Sequence, residues 1–234
     1  MGHPNCIFEG RRAVDWGDLA WQLRPYPRDA LDNIDLADIS LRARRDHGSP
    51  PTRASGSGLE PIPDRPLPGA EDGIVYRSRE MHHVMTLAGK VAPTRSSVLI
   101  LGESGVGKEM IAQFIHRNSS ARNARFLAVN CAALPQPLLE SELFGHVKGA
   151  FTGAHTHHDG LFVEAGEGTL FLDEIGERSP DLQAKLLRVL NEREVRPVGG
   201  LTHIPVAARI VAATNQKLQQ RIESGGFRRD LFFP

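Results

Sequence analysis

Four short apolar runs do most to limit what this chain can fold into. They are "SSVLILG" (Ser96–Gly102), "RFLAVN" (Arg125–Asn130), "GTLFLDE" (Gly168–Glu174) and "ARIVAATN" (Ala208–Asn215). Runs this short, and apolar at neighbouring positions, suit strands covered on both faces of a parallel sheet. Helical patterns lie between them. "KEMIAQFIHR" puts Ile111, Phe114 and Ile115 on one face, and "SPDLQAKLLRVLNER" puts Leu182, Leu186, Val189 and Leu190 on one face. The second pattern opens with Ser179 as N-cap and Pro180 at the first helical position. Strand–helix alternation predicts an α/β fold with a mostly parallel sheet. Ligands of such sheets bind beyond the C-terminal ends of the strands. Chemistry is therefore expected at Gly102–Glu109, Asn130, Asp173–Glu174 and Thr214–Asn215, each of which follows an apolar run.

The stretch "GESGVGKE" comprises Gly102, Glu103, Ser104, Gly105, Val106, Gly107, Lys108 and Glu109, and fits G-x-x-x-x-G-K. Its glycines let backbone N–H groups turn inward around an anion. The following helix adds the positive end of its dipole, and Lys108 is placed to reach the β- and γ-phosphates of a nucleotide. A plain glycine-rich strand-to-helix turn is the alternative, and the lysine in this context favours a phosphate cradle (Walker A). The generic motif continues with Ser or Thr, whose hydroxyl binds Mg²⁺. Glu109 stands there instead, so the metal must be held differently.

Asp173 and Glu174 close the third run, as in a Walker B strand. Asp173 is expected to hold Mg²⁺ or its waters, and Glu174 to orient and deprotonate an attacking water. Thr214 and Asn215 offer a hydroxyl and an amide that can sense a γ-phosphate. An adjacent acid pair alone would read as a solvated turn; together with the phosphate cradle it favours NTP hydrolysis.

One stretch is harder to place. "KGAFTGA" (Lys148–Ala154) sets a single aromatic among Gly, Ala and Thr. It is either a tight turn with Phe151 folded back into a core, or a mobile loop that presents Phe151 to something else. Beyond it lies "HTHHD" (His155–Asp159), where adjacent histidines on a flexible segment seldom converge on one metal ion, so solvated loop residues are expected.

The run "ESELFGHVKGAFTGA" (Glu140–Ala154), taken with "GESGVGKE", "VNCAAL", "GTLFLDEI", "LQAKLLRVL" and "FRRDL", resembles the AAA+ domain of bacterial sigma-54-dependent transcriptional activators from about Ile74 onward. The resemblance implies a three-layer P-loop NTPase (AAA+) core with ATP and Mg²⁺ as ligands. It implies that Gly149, Ala150, Phe151, Thr152, Gly153 and Ala154 form a mobile loop touching sigma-54 when ATP is bound, with Phe151 and Thr152 in contact. Hydrolysis would then be transmitted to the sigma-54 RNA polymerase holoenzyme. Asn130 matches a residue that in relatives hydrogen-bonds the catalytic Glu. Arg228 matches an arginine finger acting on a neighbouring subunit's ATP, which implies a ring, a hexamer by family; a plain surface charge is the alternative. Glycine hinges on either side of an exposed Phe, and a loop held in one state by a γ-phosphate, fit such a switch.

The remaining sequence sets bounds. The chain has 234 residues, a formal net charge of +0 and two cysteines, Cys6 and Cys131. No global field draws it to nucleic acid, and no disulfide framework is available, so a reducing cytoplasm is expected. No apolar run approaches the ~20 residues of a membrane span, and the N-terminus has no secretory h-region. Residues 1–47 carry no motif, although "DALDNIDLADISLRARR" has a roughly amphipathic pattern. Residues 48–73, dense in Pro, Gly and Ser, are expected to be a linker, and residues 74–234 the AAA+ domain. Relatives continue past "FRxDL", so the helical lid and the DNA-binding helix-turn-helix are expected to be absent from this chain and "LFFP" to be exposed. Tyr76, Leu161 and Val163 also depart from the family pattern. Two functions follow: an ATPase that remodels sigma-54 polymerase, or a truncated nucleotide-binding fragment without turnover.

Overall fold

A computed structural model describes residues 6–10, 73–76 and 78–232, the first group by backbone alone. The four expected strands are present as β2 (Val98–Gly102), β3 (Phe126–Asn130), β4 (Thr169–Asp173) and β7 (Arg209–Thr214). A further strand, β1 (Cys6–Gly10), comes from the region without a motif and lies against β2, with Gly10 opposite Gly102. All pairs are parallel and the order is β1-β2-β7-β4-β3. The outer edge of β2 would otherwise expose unpaired amides and carbonyls, and "CIFEG" supplies five residues to meet them. The amphipathic pattern at residues 29–45 and nearly all of the expected linker lie outside the described residues.

Helices cover both faces. On one side lie α1 (Arg79–Val91) and α2 (Lys108–Arg117). Val84, Met85 and Ala88 of α1 and Ile111, Phe114 and Ile115 of α2 pack with Ile100, Phe171, Val211 and Ala213 of the strands. On the other side are α3 (Gln136–Phe144), α4 (Leu161–Glu164) and α5 (Pro180–Glu192). Leu139 and Leu143 of α3, Phe162 of α4, and Leu182 and Leu186 of α5 bury Leu170, Leu172 and Ile210. A small hairpin follows, with β5 (Glu194–Val195) antiparallel to β6 (Ile204–Pro205). The described chain ends with α6 (Leu218–Glu223) and α7 (Arg229–Phe232). Alternate residues of β2 and β7 thus serve different cores, as a sheet between two helix layers requires.

Two polar contacts lock these layers. Arg209, 5% exposed, donates to Val91 O at 2.9 Å, Ala92 O at 2.7 Å and Ser96 O at 3.0 Å. Its guanidinium thereby satisfies carbonyls at the C-terminus of α1 that the helix itself leaves free. His116 Nδ1 lies 2.9 Å from Thr169 Oγ1, joining α2 to β4. Two sequence expectations change. Phe232 is buried with Leu218 and Phe227 instead of being exposed, because α7 folds back over Leu99 and Leu101. His158 is half-buried, not a solvated loop residue, because Gly145 and Gly160 draw its segment onto α3.

Candidate functional site: a phosphate loop and a displayed aromatic loop

At the C-terminal end of β2 the chain enters the loop 102–108. Gly105 and Gly107 have φ of +78° and +91°, and a Cβ on Gly105 would meet nothing within 4 Å. Gly107 is the N-cap of α2 and makes no side-chain cap. The first amides of a ten-residue helix are thus left for an external acceptor. Lys108 is 6% exposed and folds under the loop, donating to Gly102 O at 3.1 Å, Glu103 O at 3.2 Å and Glu174 Oε1 at 3.1 Å. A buried ammonium under an open ring of amides fits phosphate. Glu109 is exposed and accepts from Gln113, so it points along the helix surface.

The acids sit beside this cradle. Glu174 has φ 53° and ψ 44°, a left-handed conformation uncommon outside glycine. That turn places its two carboxylate oxygens between Lys108 and the Asn215 amide, which donates to Oε2 at 3.0 Å. Asp173 Oδ1 accepts from Glu174 N at 3.0 Å. Burial, then the neighbouring Glu174 charge, raises the Asp173 pKa above the usual carboxylate value, with Lys108 opposing. A carboxylate so disfavoured would gain from a cation placed beside it. Thr214 is fully buried, and its Oγ1 accepts from Gln216 N at 3.1 Å. Only a glycine at position 176 lets Thr214 approach, since a Cβ there would lie 2.5 Å from its Oγ1.

The register pairs Asn130 with Asp173, so Asn130 reaches the site. Its side chain does not bond Glu174 as expected. Asn130 Oδ1 accepts from Ala132 N at 2.9 Å, because it caps the turn Cys131–Ala133 and that amide has no helical partner. Glu174 is meanwhile turned towards Lys108. Cys131, just after it, is buried, and burial pushes its thiol up to about 12.

Arg228 is exposed and lies outside this cluster. It is stowed on Asp230 through Nε at 2.9 Å and Nη2 at 2.5 Å. Its backbone N–H donates to Gln183 Oε1 at 2.8 Å. Gln183 was not singled out from sequence, yet it is fully buried and also donates to Arg178 O and Gly226 O. Its only sequence signal is a polar residue on the apolar stripe of α5, between Leu182 and Leu186.

The segment 145–160 rises from the end of α3. Its neck is a crossing of two glycines: a Cβ on Gly145 would lie 2.3 Å from His158 O, and one on Gly160 2.3 Å from Gly145 N. Val147 N donates to Val198 O at 3.1 Å, tying the neck to the chain after β5. At the tip, Gly149 N donates to Ala154 O at 2.8 Å, and Ala154 N to Phe151 O at 3.0 Å. Gly149 and Gly153 have φ of +84° and +104° in open space. Phe151, Thr152 and Gly153 are exposed, Ala150 is half-buried and Ala154 is buried. Phe151 is therefore displayed, not folded into a core.

The Sigma-54 interaction domain family matches residues 74–234. The chain is 54% identical over 169 residues to the Nif-specific regulatory protein of Azospirillum lipoferum, covering 72% of this chain and 27% of that protein. It is 56% identical over 160 residues to the regulatory protein AtoC of Escherichia coli, covering 68% of this chain and 35% of that protein. NtrX from Brucella abortus, solved in complex with ATP, is 38% identical with a TM-score of 0.62, covering 68% of this chain and 36% of that one. Its complex with ADP matches equally, over 34% of that chain. The chain thus spans about a third of the length of these relatives, or less. Among the described residues no helix is long and apolar enough to cross a membrane. On its parallel sheet between helix layers, its glycine cradle and the extent of this similarity, the chain belongs to the sigma-54 interaction domain family, the AAA+ module of sigma-54-dependent regulators.

Proposed function

We propose that this chain is an ATP-binding and ATP-hydrolysing module that couples hydrolysis to remodelling of sigma-54 RNA polymerase, acting in the cytoplasm as a ring of copies. One observation carries the reading: the Glu174 carboxylate, pinned between Lys108 of the phosphate loop and the Asn215 amide. That position puts a base beside the end of a phosphate chain lying on the amides of 102–108. The ATP- and ADP-bound forms of NtrX support nucleotide binding at the matching fold.

Lys108 exchanges its carbonyl and carboxylate partners for phosphate oxygens. Glu174, released from Lys108, accepts a proton from the attacking water at its carboxylate. Thr214 and Asn215 report whether the terminal phosphate is present. Asp173 would hold Mg²⁺, which supplies positive charge against the phosphoryl oxygens. Arg228, exposed and outside its own site, serves the site of a neighbouring copy once it leaves Asp230. The loop 149–154 carries Phe151 to sigma-54.

The test is ATP turnover per chain as a function of protein concentration, with and without sigma-54. Turnover that rises with concentration, and is lost in Glu174→Gln while ATP binding persists, supports a ring ATPase. A second reading, nucleotide binding without turnover, is favoured by the bidentate capture of Arg228 by Asp230. Absence of turnover at every concentration would select it.

A further inference from the structure

The neck of the displayed loop holds a group of side chains that nucleotide chemistry does not use. The His146 ring meets Phe151 edge-on, with centroids 5.0 Å apart and planes at 62°. His146 Nδ1 is 2.7 Å from Ser141 Oγ, and Ser141 is 3% exposed on α3. The backbones of His146 and His158 exchange two hydrogen bonds, 2.9 Å and 3.0 Å, and their rings lie 5.7 Å apart. His158 in turn stands 3.8 Å from Glu142 of α3 and 3.7 Å from Glu164 of α4. On the far side, a Cβ at Gly199 would lie 2.8 Å from Ala150 Cβ, so the chain after β5 closes against the loop.

We infer that His146 is a positioning residue for the displayed loop: a seat that holds Phe151 down against the neck, and from which Phe151 must lift to engage a partner. The inference deepens the proposed function and rests on it for the identity of that partner. Phe151 is 45% exposed, so a large part of its ring is covered although it belongs to no core cluster. An edge contact with an imidazole supplies that cover. The imidazole cannot follow Phe151 outward, because Ser141 fixes its Nδ1 and the Gly145–Gly160 crossing fixes its backbone. The tip can move alone, since Gly149 and Gly153 stand in open space with left-handed backbones. The seat is thus rigid and its occupant hinged. His158, flanked by Glu142 and Glu164, braces the strand pair behind it. An aromatic edge pair of this kind shifts the seated-to-free population by about two- to tenfold.

The experiment uses the full chain and chymotrypsin, which cuts after Phe151 only when the tip lifts into its active site. Wild type, His146→Ala and His146→Phe are compared without nucleotide. Cleavage after Phe151 is located by mass and scaled to a free peptide of residues 145–160. His146→Ala should be cut about fivefold faster at Phe151. His146→Phe, which restores an aromatic edge but not the Ser141 bond, should return to within twofold of wild type. Basal ATP turnover should stay within twofold in both. A general loss of packing would speed cleavage at other aromatics and would not be rescued by Phe, and that pattern overturns the seat. So does equal cleavage of His146→Ala and wild type. A second arm measures sigma-54 binding without nucleotide, which should tighten in His146→Ala. A seat that loosens with no change in sigma-54 binding refutes the partner assignment and leaves the seat intact.

Discussion

The Lys108–Glu174 contact lets the effect of one substitution be worked out in advance. Glu174 Oε1 lies 3.1 Å from Lys108 Nζ, with the two side chains 14% and 6% exposed. A hydrogen bond between charged, largely buried partners contributes about 1.5–3 kcal/mol. Phosphate must take Lys108 away from this partner, and it also brings its own negative charge towards Glu174. At a separation near ~5 Å and an effective dielectric near ~20, that repulsion is about 3 kcal/mol per unit charge pair. Glu174→Gln removes the charge but keeps one carbonyl oxygen, which can serve Lys108 or the Asn215 amide but not both. Removing the charge removes that repulsion whole; positive charge brought with the nucleotide as Mg²⁺ already offsets roughly half of it, which leaves about 1.5 kcal/mol, or about tenfold tighter ATP binding. The same change removes the base, so turnover should fall by about 10²- to 10⁴-fold. Calorimetric titration with ATP, together with phosphate release at saturating Mg²⁺, reads both effects. ATP affinity unchanged or weaker would show that Lys108 and Glu174 do not hold each other against the phosphate. Turnover near wild type would remove Glu174 from the chemistry.

Other substitutions test the scaffold. Arg209→Met removes a charged donor from three carbonyls, of which Val91 O keeps Thr94 as a donor; it should destabilise the domain by about 3 kcal/mol, seen in a thermal melt as a midpoint lower by roughly 6–12 °C. His116 is held neutral by burial, which lowers its pKa below the ordinary histidine value. The unfolded chain therefore takes up the proton first as pH falls. Stability should be complete above about pH 6.5 and decline below it by up to about 1.4 kcal/mol per unit, and His116→Gln should flatten that slope in urea titrations. Gly145→Ala should cost about 2 kcal/mol or more and unseat the neck, because its Cβ meets His158 O. Gly149→Ala, with open space around it, should cost about 1 kcal/mol of backbone strain, so equal melts for the two variants would contradict the crossing. Lys185→Met should leave basal ATP turnover within twofold while weakening its stimulation by sigma-54, since Lys185 joins α5 to Glu140 of α3 away from the phosphates.

The strands, the glycine cradle and the cap of α5 were legible because each is written in neighbouring residues. Apolar runs, a G-x-x-x-x-G-K spacing and Ser179–Pro180 need no knowledge of what lies across the fold. What the sequence hid is non-local. Pairing of β1 with β2 joins positions about 90 residues apart, and "CIFEG" alone resembles any short apolar run. Asn130 carries the same side chain whether it bonds Glu174 or caps Cys131–Ala133, and competition from the nearby Ala132 amide decided for the cap. Gly145 and Gly160 read as ordinary loop glycines until their backbones are seen to touch. The histidines of "HTHHD" read as solvated because the acids facing His158 come from α3 and α4. Gln183 reads as an interruption of an apolar stripe, whereas it holds the backbone of Arg228.

These hidden contacts also give the two ends of the site a common frame. Glu174 sits in a left-handed turn, and the chain from it runs through Ile175–Glu177 directly into the Ser179 cap of α5. Any shift of Glu174 as it leaves Lys108 is thus delivered to the first turn of a thirteen-residue helix. That helix touches both outputs. Gln183, one turn in, carries Arg228 on its side-chain oxygen. Lys185, on an adjacent turn, is paired with Glu140 of α3, whose last residue precedes the Gly145 neck. A rigid helix between two side-chain anchors moves as one body, because packed cores resist bending more than they resist small rotations. In the proposed function, release of Glu174 from Lys108 would then reach both the stowed arginine and the seat under Phe151 through this helix and the short turns at Ile175–Glu177 and Gly145.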